Sequence, residues 1–241
     1  MAAQALGTNV PVSTHDSFIR LGGIAGLIVT LIGAIVNLVL VGADAPGFDA
    51  PLDEVAGYVA IAADRIAAGS ALRYAAQFLL IILAVGLYRF VRGSEDGPLG
   101  SWAIMGLLGA VWIAATGAVG NAAEVVAVWQ AETLADQAQF TAAVWGMNIA
   151  TFIALLIPWA TFILGFSIAG HVSGVLPAWM MWLGLVIATS GLLGAMGTRS
   201  VMVGGFAEPV ALASYSLAGL WVLFSSILMI RRSWSRNISA I

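Results

Sequence analysis

Six long apolar runs dominate the chain and restrict what it can fold into. Each is close to or above the roughly 20 residues that a helix needs to cross about 30 Å of hydrocarbon. Hydrophobic residues make up 61% of the 241 residues and charged residues only 9%, whereas a soluble domain is about one quarter charged. The sequence therefore predicts an all-α, polytopic integral membrane protein, an antiparallel bundle of six transmembrane helices over residues 20–42, 70–91, 101–128, 140–169, 178–198 and 209–230.

The first apolar run has a competing interpretation as a signal peptide, because Ala43, Asp44 and Ala45 imitate a cleavage site. A signal core usually has about 7 to 15 apolar residues after a positively charged segment. Here the run is longer and only Arg20 precedes it, which favours an uncleaved helix. The predicted organisation is a polar N-terminal tail (1–17), a six-helix domain (18–232) and a C-terminal cytoplasmic tail (233–241).

The arginines predict the orientation, since short loops rich in Arg stay in the cytoplasm. With both termini in the cytoplasm, six of the nine arginines lie on the cytoplasmic side: Arg20, Arg89, Arg92, Arg231, Arg232 and Arg236. The absence of lysine, together with many Ala and Gly residues, is typical of GC-rich coding and indicates a bacterial inner (cytoplasmic) membrane.

The longest connection, residues 43–69, is predicted to lie outside and to contain a short amphipathic helix. Asp53 and Glu54 suit the positive end of a helix dipole. Apolar residues then recur at helical spacing, namely Val55, Val59, Ala62 and Ile66. We expect this helix to cap the bundle, with a substrate lid as the alternative.

Several classes of function are excluded by composition. Nine Arg against twelve Asp and Glu leave no basic surface for nucleic acid. The absence of Lys and Cys removes Schiff-base chemistry, thiolate nucleophiles and cysteine-ligated metals. His15 and His171 stand in no metal-ligand motif and in no catalytic triad. We therefore expect no metal, no cofactor and no enzymatic activity.

The strong polar residues of the apolar runs are predicted to gather in the outer leaflet. Inside lipid, a charged side chain costs about 2.5–3.5 kcal/mol and needs a partner. Arg73 and Gln77 share one helix face, as do Asn121 and Glu124 on the next helix, and antiparallel packing brings the two faces level. We expect an Arg73–Glu124 ion pair in a polar network whose further candidates are Asn37, Asn148, Arg199 and Glu208.

Two interpretations of this outer polar network stay open. It is either a structural seam that fixes helix register or the wall of a pocket that binds a polar or anionic head group. A further alternative is that Arg73 extends alone to the membrane interface without forming the network. Small residues on two helices predict close helix packing, at Gly22 and Gly26 in the first and at Gly117 and Gly120 in the third.

Three segments carry a resemblance to a known family. They are "RLGGIAGLIVTLIGAI", "ALRYAAQFLLIILAVGLYRFV" and "GVLPAWMMWLGLVIATSGLL", the last with a Leu-Pro-x-Trp turn that opens the fifth run. With these segments the chain resembles the DUF4386 domain family of bacterial six-helix membrane proteins. The resemblance covers most of residues 18–232 and implies a fold and a membrane setting, but no activity.

Two functions are therefore predicted. The first is a non-catalytic accessory or stabilising subunit of a larger membrane complex, such as a lipid or small-molecule importer of the cell envelope. The alternative is a stand-alone binder or carrier of an amphipathic or anionic small molecule, which uses the outer polar pocket. The expected partners are the lipid bilayer and other membrane subunits or a lipid-like ligand.

Overall fold

A computed structural model describes residues 14–41, 44–92, 99–130 and 138–238 of the chain. Long helices fill these ranges. They are α1 (Thr14–Ile35), which continues as one π-helical segment (Val36–Leu40), α2 (Leu52–Arg92), α3 (Leu99–Trp129), α4 (Ala138–Val172), α5 (Ala178–Met196), the short α6 (Thr198–Met202) and α7 (Ala207–Ile238).

Six of these helices, all except α6, are long and apolar enough to cross a membrane. The described residues contain no strand. The predicted all-α, multi-pass membrane fold is therefore confirmed. Helices that are neighbours in sequence are also neighbours in space, and the six long helices form a ring in which α7 returns to pack against α1.

The predicted separation of the second transmembrane helix from an amphipathic loop helix is wrong. Both belong to α2, which begins at Leu52 and has 41 residues without interruption. No proline falls between Pro51 and Pro98, and the apolar stripe of the amphipathic segment continues in phase through Ile66 into Gly69 and Ser70. Nothing in the sequence therefore ends the helix near residue 69.

The two tails are shorter than predicted. The helix α1 begins at Thr14, inside the predicted tail of residues 1–17, and residues 1–13 lie outside the described ranges. At the other terminus, α7 continues to Ile238, inside the predicted tail of residues 233–241. No Gly or Pro occurs after Gly219, so the helix has no breaker in this region.

The helices differ in length, which gives the bundle two different ends. At 1.5 Å per residue, α2 is about 62 Å long and the 19-residue α5 is about 28 Å long, close to the thickness of the hydrocarbon core. The first turns of α2 extend past the end of α1 and pack with α3 and α4. Their apolar cluster contains Val55, Ala56, Val59, Ala62, Ile66 and Ala127, with Phe140, Val144 and Trp145 around it.

We call the end of the bundle that carries this extension the extended end. At the opposite end the helices pack closely through glycines. A Cβ atom on Gly22 of α1 would lie 2.7 Å from the Cα of Gly86 of α2. A Cβ atom on Gly109 of α3 would lie 2.7 Å from the Cα of Phe162 of α4. Close backbone approach of this kind is how small residues hold helices together in lipid.

Candidate functional site

An ion pair between α2 and α3 lies in the half of the bundle toward the extended end. Nη1 of Arg73 donates to Oε2 of Glu124, as the spacing on the two helices predicts. The Ser70 hydroxyl donates to the same oxygen at 2.6 Å, and Nδ2 of Asn148 on α4 lies 3.4 Å from Oε1. Three side chains from two neighbouring helices, α2 and α4, thus hold the Glu124 carboxylate, and only 14% of its side chain is exposed.

The ion pair stands in the wall of a partly open cavity of about 560 Å³. The side chains around its middle are polar and are contributed by α1, α2, α3 and α4. We call this set the polar belt: Asn37, Arg73, Gln77, Asn121, Glu124 and Asn148. Deeper in the bundle, away from the extended end, the lining is apolar. We call this second set the floor: Val29, Ile32, Leu80, Ile113, Leu155 and Trp159.

The cavity wall carries hydrogen-bond donors that lack partners. Nδ2 of Asn121 and Nε1 of Trp145 are buried and have no hydrogen-bond partner among the described residues. A buried donor without a partner costs about 1–3 kcal/mol. Arg73 has five N–H groups, and its one hydrogen bond to a described residue is the one to Glu124. Its side chain is 28% exposed, so the guanidinium keeps unused donors.

Four aromatic residues of the lining contact one another in series and form what we call the aromatic wall. Phe48, in the turn after α1, packs on Phe152 of α4 with ring centroids 5.3 Å apart. Phe152 contacts Tyr215 of α7 edge-on at 6.0 Å, and Tyr215 contacts Trp159 at 6.1 Å. All four residues line the cavity. The lining therefore combines the polar belt with a continuous set of aromatic rings.

Glycines on α3 make room for the side chains of the site. A Cβ atom on Gly117 would collide with the Gln77 amide, and one on Gly120 would lie 2.5 Å from the Thr151 methyl group. The two predicted packing glycines of α3 thus lie against neighbouring helices, and Gly117 holds open the space that Gln77 occupies. On α1, Gly22 and Gly26 approach α2 and α7.

The structure brings together most of the residues that the sequence suggests, but not all. Asn37 lines the cavity, although its amide donates to the Gly33 carbonyl of its own helix at 2.9 Å. Arg199 in α6 and Glu208 in α7 are not part of the lining, so they do not extend the network in the described structure. Both sit where the chain passes from α5 to α7, beyond the belt.

Sequence reasoning missed three contributors. Ser70 lies three residues before Arg73 on the same helix face, so its spacing could have identified it. The unpartnered N–H of Trp145 has no signature in the sequence. The aromatic wall joins residues from a turn and two helices, which only the fold brings together.

The described residues contain no group of three or more His, Cys, Asp or Glu side chains arranged to hold a metal ion. His171 lies exposed at the end of α4, and the side chain of His15 lies outside the described set. The site thus contains an ion pair, amides, hydroxyls and aromatic rings.

No family model, no curated protein and no solved structure matches this chain. The resemblance to the DUF4386 family therefore stays a prediction.

Proposed function

We propose that this membrane protein binds an amphipathic small molecule in the cavity beside the Arg73–Glu124 ion pair. The polar group of the ligand lies at the polar belt beside Arg73, and its apolar part lies on the floor and against the aromatic wall. The observation that carries the proposal is the presence of hydrogen-bond donors without partners, those of Asn121 and Trp145 and the unused ones of Arg73, in a largely apolar cavity wall. A volume of about 560 Å³ falls within the range of about 300–1,000 Å³ typical of small-molecule sites.

The chemistry of the belt selects a group with acceptor oxygens. Arg and Trp side chains only donate hydrogen bonds. The carboxylate of Glu124 already accepts from Ser70, Arg73 and Asn148, which leaves little capacity for an ammonium group. A carboxylate, an ester or a phosphate would instead accept from Arg73 and relieve the unpartnered donors after small side-chain rotations. We therefore expect anionic or neutral oxygen-rich head groups to bind and cationic ones to fail.

A binding assay on the purified chain in detergent tests this selection. The probes are radiolabelled oleate, monoolein and dodecylamine, and the amount of each bound to the protein is measured by a scintillation proximity assay. We expect saturable binding of oleate, monoolein or both, and none of dodecylamine. Equal binding of all three would indicate nonspecific partition into detergent, and no saturable binding of any would refute the proposal.

Two variants test the role of the donors. Arg73→Gln removes a charge-assisted hydrogen bond, worth about 1.5–3 kcal/mol, so the Kd for oleate should rise about 10- to 100-fold. Trp145→Phe removes one buried N–H and leaves the ion pair intact, so it should weaken binding without destabilising the chain. Trp129→Phe is the matched control, because Trp129 is 80% exposed and lies outside the lining.

The accessory-subunit function stays a prediction with its own measurement. Purification from the source membrane in a mild detergent, followed by mass spectrometry, identifies any chains that travel with this one. Isolation as a monomer or homodimer alone would contradict that function and leave the ligand-binding proposal in place.

A further inference from the structure

The contact between α1 and α7 changes along its length. Toward the end opposite the extension the two helices touch closely. A Cβ atom on Gly23 would lie 2.8 Å from Cγ1 of Ile230, and one on Gly26 would collide with the Ser226 hydroxyl. The side chain of Met229 fills the same contact.

Two helical turns further on, the same faces of α1 and α7 no longer meet. Gly33 lies seven residues after Gly26, and Gly219 lies seven residues before Ser226, so antiparallel packing would place them opposite each other. A Cβ atom on either glycine would have no neighbour within 4 Å. The two helices therefore diverge by this level and leave a cleft between them.

This cleft leads to the cavity. Its α1 edge includes Gly33 and Asn37, and its α7 edge includes Leu212 and Ser216, all of which line the cavity. The lips outside it are apolar and exposed, for example Leu38 at 77% and Leu220 at 46%. Exposed apolar lips on two membrane-spanning helices suit contact with acyl chains rather than with water.

The extended end is covered where the chain passes from α1 to α2. Pro46 is buried, and Phe48 packs on Phe152. The Tyr58 hydroxyl donates to the Val41 carbonyl at 3.0 Å, which ties this turn to α2. On its other side, the Asp49 carboxylate lies against the backbone of Gly204, where a Cβ atom would be 3.0 Å from Oδ2. Among the described residues this turn thus lies over the cavity at the extended end, whereas the cleft between α1 and α7 leads to the lining from the side.

We infer that the cleft between α1 and α7 is a lateral portal, and that the ligand is a long-chain amphiphile taken directly from the bilayer. The inference rests on the proposed function and names the source of the ligand. The acyl chain slides between the two helices onto the floor while the head group stays level with Arg73. The exposed Asn37 side chain stands at the edge of this route, where a head group passes.

The absence of cysteine makes a direct test practical. The double variant Gly33→Cys/Gly219→Cys places two thiols across the portal, and both positions face open space. Bifunctional methanethiosulfonate reagents of increasing span then bridge the pair in nanodiscs, and dithiothreitol removes the bridge. The measured quantity is the uptake rate of a fluorescent oleate analogue already dissolved in the nanodisc bilayer. The single variants treated with a monofunctional reagent are the controls.

We expect the bridge to slow uptake at least tenfold and reduction to restore it, with little change in the single-variant controls. An unchanged rate in the bridged protein would overturn the portal while leaving the binding site in place. Failure of every reagent to bridge the pair would show that Gly33 and Gly219 do not face each other, which also overturns it. No uptake by the unbridged protein would instead contradict the proposed function itself.

Discussion

The Arg73–Glu124 ion pair supplies the most quantitative prediction for stability. Glu124→Gln keeps an oxygen that can accept from Ser70 but leaves the Arg73 guanidinium without its counter-charge. Removing one partner of a fully buried ion pair costs about 3–5 kcal/mol, whereas an exposed pair contributes about 0–1 kcal/mol. With side chains 28% and 14% exposed, this pair lies between the two limits, so we expect Glu124→Gln to cost about 2 kcal/mol.

A double-mutant cycle measures the coupling between the two side chains. Unfolding is followed in mixed micelles of dodecyl maltoside and sodium dodecyl sulfate for both single variants and for Arg73→Gln/Glu124→Gln. Because each single change already breaks the pair, the second should add little, and the coupling energy should be about 1–2 kcal/mol. The matched control pairs Glu124→Gln with Arg89→Gln, which lies sixteen residues or about 24 Å along α2 from Arg73, and those effects should add within about 0.5 kcal/mol. Strictly additive losses at Arg73 and Glu124 would refute the interaction.

Two further predictions concern glycines. Gly109→Ala should destabilise the bundle by about 1–3 kcal/mol, because its methyl group would meet the backbone of Phe162. Gly146 on α4 faces open space, so Gly146→Ala should leave the free energy of unfolding unchanged or raise it by up to about 1 kcal/mol. Gly174 has a φ of +68° in the turn after α4, and a Cβ atom there would have no neighbour within 4 Å. Gly174→Ala should therefore cost about 1 kcal/mol from backbone conformation alone, and Gly174→Asn should cost less. Thermal unfolding in detergent measures both pairs, and equal melting temperatures within either pair would contradict the reasoning.

The transmembrane helices could be predicted because each depends only on one continuous apolar run of residues. Apolar runs of about 20 residues leave few alternatives once backbone groups must be satisfied inside lipid. The ion pair was predictable for a similar reason. Helix periodicity determines which face of its helix each of Arg73 and Glu124 occupies. The antiparallel order of α2 and α3 places the two side chains at the same depth in the bundle. The separate loop helix is the main error, since polar residues alone do not end a helix where no helix breaker occurs.

The cavity could not be predicted, because it depends on where helices fail to touch. Glycine at position 26 marks a close contact with Ser226, while glycine at position 33 on the same face marks an opening. The residue type is the same, and only the relative tilt of α1 and α7 decides between the two. The aromatic wall likewise requires Phe48, from a turn, to reach Phe152 and Tyr215.

The most direct test of the ligand-binding account is a crystal structure of the chain grown in a lipid mesophase with 9,10-dibromostearate. We predict anomalous bromine peaks inside the cavity beside Leu80 and Ile113, with the carboxylate within hydrogen-bond distance of Arg73. Bromine peaks confined to the outer faces of the helices, with an empty or water-filled cavity, would contradict the account.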